Sequence, residues 1–169
     1  ITNSNLSDSS NGVSVPAGGA PEISGNEITD TTGAGIYYNG GSAPAGSEVK
    51  VHGNEVEGTV GGITLENLGA NVSGATLAGN VVEDNLGKAI SFEGSSATAL
   101  PPDISDNFIS DNQKNAIFLS GRVASDSTWG GGPFVVQGPD VTIPSGKRLT
   151  VEPGSVIKAL TGGSQNSDG

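Results

Sequence analysis

Residues Val81–Phe92 read VVEDNLGKAISF. Two short apolar runs stand here, with Asn80 just before the first and a Gly-containing turn between them. The same pattern recurs on both sides. Ile36, Ile63, Ile90 and Ile117 are each 27 residues apart, and Tyr38, Leu65, Phe92 and Leu119 keep the same spacing two places on. Seven or eight places earlier stand Ile28, Val56, Val82 and Ile109, and before those Ile23, Val51, Leu77 and Ile104. Between the last two sets lie Asn26, Asn54, Asn80 and Asn107, in the segments ISGNEI, VHGNEV, LAGNVV and ISDNFI. Self-similarity at a fixed period marks a repeat architecture. The opening residues form a shorter copy, with Leu6, Val13 and Val15 in the three apolar places.

Within each copy the apolar residues alternate with polar ones, as in Ile36-Tyr37-Tyr38 and Ile90-Ser91-Phe92. Period two is the strand signal, and Gly and Asn punctuate the runs. No copy carries a helical apolar stripe. Each repeat therefore holds about three short strands, and equal places recurring every repeat stack each coil on the one before. Like strands then pair in parallel, roughly 4.8 Å apart, with right-handed crossovers. The expectation is an all-β chain, a right-handed parallel β-helix (solenoid) of about five to six coils. Its core ladder is Ile36, Ile63, Ile90 and Ile117.

The I-x-x-N-x-I core, followed by G-I-x-L as in Gly62-Ile63-Thr64-Leu65, resembles the parallel β-helix repeat superfamily. That superfamily includes pectate lyases, polygalacturonases, tailspikes and many bacterial surface proteins. The resemblance covers Ile1 to Gly121 and implies a fold. It leaves the activity open, because one scaffold hosts lyases, hydrolases, epimerases, adhesins and inert spacers.

Composition narrows the classes. The net charge of −11 opposes nucleic-acid phosphates and anionic membrane surfaces, and favours solubility and cation binding. Without Cys there is neither a disulfide framework nor thiol chemistry. No run of about 20 apolar residues is present, so no membrane insertion through a helix is expected. The absence of Met, even at position 1, reads as processing or as a piece of a longer protein. An extracellular or cell-surface location is expected from the composition and the resemblance.

Along the chain, residues 1–121 read as β-helix coils of 27-residue period. Loops of small residues at 39–48, 66–74 and 93–102 occupy one place in the repeat and should stack on one side. The pattern breaks at 122–133, RVASDSTWGGGP, which reads as a Gly-rich loop. Residues 134–160 read as a further coil of a different repeat type. Its apolar pairs are Val141/Ile143, Leu149/Val151 and Val156/Ile157, divided by Pro-Ser-Gly and Glu-Pro-Gly turns. It resembles the segment at which β-helices of large secreted bacterial proteins start or restart. Residues 161–169 read as a flexible tail.

Several residues are candidates for more than structure. The Asn ladder (Asn26, Asn54, Asn80, Asn107) sits in a turn, where stacked amides can bond from coil to coil. Asp30, Asp84 and Asp111 share one place with Gly58, and Glu57 and Glu83 share the next. Like charges stacked at strand spacing repel unless solvated or bridged by a cation. Asp30, Glu57, Asp84 and Asp111 are thus a cation row that calcium would suit, a solvated turn row, or a catalytic acid pair. A lyase-type reaction would need Arg or Lys beside clustered Asp. Arg122 and Arg148 lie outside the regular coils, while Lys88 and Lys114 are read as neutralising the row. His52 stands alone and cannot build a metal site without partners. Trp129 is expected to cap a core edge, and the outward Tyr37 and Phe118 are the rings that a sugar could stack on. The outward row Tyr37, Thr64, Ser91, Phe118 is too irregular for an ice-binding face.

No catalytic residue and no cofactor other than calcium is expected. The role expected is a structural repeat module: a stalk, an adhesin part or a self-stacking fibre subunit. The alternatives are a fragment of a polysaccharide-active enzyme, or a calcium- or glycan-binding module. The partners expected are a second copy joined head to tail, flanking repeats, or a polysaccharide.

Overall fold

The computed structural model describes residues 1–16, 19–41, 43–44, 46–69, 72–94 and 98–160. The segment 161–169, read as a tail, lies outside them. Strands follow one another in triplets. The first coil has β1 (Asn5–Ser7) and β2 (Val13–Val15), and the second β3 (Glu22–Ser24), β4 (Glu27–Thr29) and β5 (Ala34–Asn39). The third has β6 (Ser47–His52), β7 (Glu55–Glu57) and β8 (Gly61–Glu66). The fourth has β9 (Val72–Ala78), β10 (Val81–Glu83) and β11 (Lys88–Glu93). A short β12 (Ala99–Leu100) precedes β13 (Asp103–Ser105), β14 (Phe108–Ser110) and the long β15 (Lys114–Val123). The last described strands are β16 (Ser127–Trp129), β17 (Pro133–Thr142), β18 (Leu149–Val151) and β19 (Val156–Ala159).

These strands form three parallel sheets. Sheet A runs β3-β6-β9-β13-β16-β18, sheet B runs β1-β4-β7-β10-β14, and sheet C runs β2-β5-β8-β11-β15-β17-β19 with β12 beside β15. The fold is a right-handed parallel β-helix of about six turns. The register follows the repeat. Val13 pairs with Ile36, Ile36 with Ile63, Ile63 with Ile90, and Ile90 with Ile117. These five side chains are buried, as are Ile23, Val51, Leu77 and Ile104 in sheet A and Ile28, Val56 and Val82 in sheet B. The thin core is one continuous cluster. Gly62 of the G-I-x-L segment sits where coils touch. A Cβ there would lie 2.1 Å from the Ala89 carbonyl oxygen and 2.8 Å from Val82, so only glycine fits.

The two ends of the molecule are built differently. From β3 to β15 each coil visits all three walls. After β16 the chain passes through Gly130–Gly132 straight to β17, and among the described residues sheet B gains no further strand. Gly131 has φ +73°, and its nearest neighbours are the Asp106 and Asn107 backbone nitrogens. Gly132 lies against the tips of Ile109 and Ile117. A Cβ at Gly131 would run into those two nitrogens, whereas one at Gly132 would make ordinary contact, so it is at Gly131 that the chain needs glycine to close over the start of the last described sheet-B strand.

Two expectations need correction here. Segment 122–133 is not simply a loop: β15 runs on to Val123, and Ser127–Trp129 form β16 because Thr128 and Trp129 pair with Asp103 and Ile104. Trp129 accordingly continues the sheet-A ladder from Ile104 to Val151. It is buried, stacks on Phe134 at 5.6 Å between ring centroids, and donates from its indole nitrogen to the Pro101 carbonyl. In the following segment Ile143 lies outside β17 and is exposed, so Val141/Ile143 is not an inward strand pair.

Candidate functional site

The corner between sheets A and B always takes two residues. The first has positive φ: Gly25, Gly53, Gly79 and Asp106. The second is a buried Asn. Left-handed backbone at the first position turns the chain and suits Gly, Asn or Asp. The next side chain then points into the coil, where its amide must be satisfied. Asn26 donates through its backbone nitrogen and Nδ2 to Asn54 Oδ1 at 3.2 and 2.8 Å. Asn54 does the same to Asn80 at 3.1 and 3.0 Å, and Asn80 to Asn107 at 3.2 and 2.9 Å. Nδ2 of Asn54, Asn80 and Asn107 also donates to a carbonyl of the coil below, from Ile23, Val51 and Leu77.

A second ladder, not foreseen from sequence, runs up the corner between sheets B and C. Its members Thr31, Thr59, Asn85 and Asn112 are all buried. Thr59 donates from its backbone nitrogen and hydroxyl to Asn85 Oδ1, at 2.8 and 2.6 Å. Asn85 passes the pattern to Asn112 at 3.1 and 2.7 Å, and Asn112 to Asn115 at 2.8 and 3.0 Å. The residues before them are Asp30, Gly58, Asp84 and Asp111, all at positive φ, and Asp8 has the same backbone in the first coil. The signal was available: the pairs Asp-Thr, Gly-Thr, Asp-Asn and Asp-Asn repeat the Gly-Asn grammar of the other corner. Mixed Thr and Asn hid it.

This geometry accounts for the acidic row. Asp30, Asp84 and Asp111 stand where the turn demands left-handed backbone, which short polar side chains tolerate. Among the described residues no ion pair involves them, so Lys88 and Lys114 do not neutralise the row as expected. Lys88 instead donates to Glu93 at 3.0 Å and lies 5.3 Å from the centre of the Phe118 ring. The carboxylates that do converge are Glu55, Glu57 and Glu83, whose oxygens lie within 4.8 Å of one another on the outer face of sheet B. Glu57 thus groups with its strand neighbours and not with Asp30, Asp84 and Asp111. All three are open to water, which suffices to solvate them.

The outer face of sheet C carries the other polar group. Tyr37 donates to Glu66 Oε2 at 2.8 Å, and Asn39 Nδ2 donates to the Tyr37 oxygen at 3.4 Å. The bond to Glu66 holds the Tyr37 hydroxyl protonated and raises its pKa above the ordinary phenol value. Burial alone raises that of Tyr38, whose hydroxyl donates to the Gly19 carbonyl. Next along the row, Thr64 and Ser91 share a hydrogen bond at 3.3 Å. Phe118, expected as an open ring, is only 7% exposed and lies against Lys88. Glu66 and Glu93 stand in register on neighbouring strands, each already engaged, one by a phenol and one by an ammonium. His52 is paired across sheet A with Glu22 at 3.4 Å. Arg122 pairs through its backbone with Ala99 and Thr142, and the Arg148 backbone nitrogen donates to Asp126.

The chain matches the family described as right handed beta helix region over residues 1–128. No curated protein and no solved structure matches it. The matched stretch stops one residue short of Trp129, where sheet B gives out. Over three quarters of its length, with the coil register and corner grammar described above, the chain belongs to the right-handed β-helix family.

Proposed function

We propose that this chain is a structural repeat module of an extracellular or cell-surface protein, serving as a stalk, part of an adhesin or a fibre subunit. The observation that carries this reading is the pair of buried ladders. At two of the three corners side-chain amides tie one coil to the next, on top of the strand pairing between them. Hydrogen bonds shielded from water in this way hold a solenoid against axial separation. A surface of net charge −11 keeps such a rod soluble.

Single-molecule stretching along the helix axis tests the reading. Coils 2 to 5 should yield at a higher force than the segment after Ser127, and Asn80→Ala should lower that force. The alternative, a fragment of a polysaccharide-active lyase or hydrolase, has its own signature. Release from pectin or alginate of unsaturated sugars (a lyase, calcium-dependent) or of new reducing ends without unsaturation (a hydrolase), abolished by Asp84→Ala, would replace the structural reading.

A further inference from the structure

We draw no further inference here: the strongest candidate, the outer face of sheet B, where Glu55, Glu57 and Glu83 converge and the Phe108 ring is 58% exposed, is a solvated cluster of carboxylates beside an unpartnered apolar side chain, and nothing in the structure shows what covers it.

Discussion

The three-walled coils up to Val123 and the two-walled coils after Ser127 solve one problem in different ways. Both must close a thin core, and both continue the sheet-A and sheet-C ladders. The three-walled part does so with aliphatic side chains and pins two of its corners with buried amides. The two-walled part has glycine where the next Asn of the first ladder would stand. It fills the narrowed interior with the stacked rings of Trp129 and Phe134. Corner amides and the third wall disappear together. In the four coils from β3 to β15 a left-handed turn residue followed by an inward amide stands where the chain passes from sheet A into sheet B. Once Gly130–Gly132 replace that pair, the chain runs directly to sheet C.

The sharpest way to break the comparison is at the centre of the three-walled part. Ile90 has no exposed surface and is in register with Ile63 and Ile117. Ile90→Asp buries a carboxylate without a partner and should cost about 5 kcal/mol or more, unfolding the central coils. A melting curve like that of the parent would show that the ladder does not carry the fold.

Trp129→Ala probes the other part. Loss of a buried ring on this scale costs about 4 kcal/mol. The damage should stay local. Hydrogen exchange should become fast in β16 to β19 while β5, β8 and β11 remain protected, because solenoid coils open as neighbouring units. Uniform loss of protection would mean that the two parts fold as one.

Asn80→Ala addresses the corner. It removes the Oδ1 that accepts from the Asn54 backbone nitrogen and Nδ2, and the Nδ2 that donates to the Val51 carbonyl and to Asn107 Oδ1, leaving Asn107 Oδ1 only the backbone N–H of residue 80. Buried groups left without partners should cost about 3 kcal/mol in chemical denaturation. A loss below about 1 kcal/mol would mean that water replaces the amide.

The smallest effect is in alkali. Tyr37 and Tyr38 are the only tyrosines, and both have raised pKa values in the fold. The protonated phenols are therefore favoured by folding. Their contribution to stability is whole below the unfolded value of about 10 and is lost as pH rises through the folded values. Ultraviolet titration of the native protein should show phenolate forming at higher pH than in denaturant. Coincident curves would remove the Tyr37–Glu66 bond from the account.

Much of this was legible in the sequence, and the gaps have physical causes. Ile36, Ile63, Ile90 and Ile117 gave away the register because one place in the coil accepts only a large aliphatic side chain. The Asn ladder stood out for a similar reason, since that corner accepts one amide. The second corner accepts Thr or Asn, so no single letter repeats there, and Asp30, Asp84 and Asp111 drew attention as charges when their backbone angle was the point. Trp129 was read into a loop because three glycines follow it, although the strand precedes them. Lys88 was assigned to Asp84 by nearness in sequence, whereas its place on the strand directs it along the outer face to Glu93.

The joints between walls differ in freedom. From sheet A to sheet B the chain spends two residues at every corner, from β3 to β4, β6 to β7, β9 to β10 and β13 to β14. From sheet C back to sheet A the connections have seven residues after β5 and five after β8, and after β11 the chain runs through 94–102, with β12 inside that stretch, before it reaches β13. Length thus varies along one seam and is fixed at the A–B corner. Foreign segments grafted at that seam would be displayed in a column at coil spacing, roughly 4.8 Å apart. The same insert placed between sheets A and B would cut the amide ladder at its root.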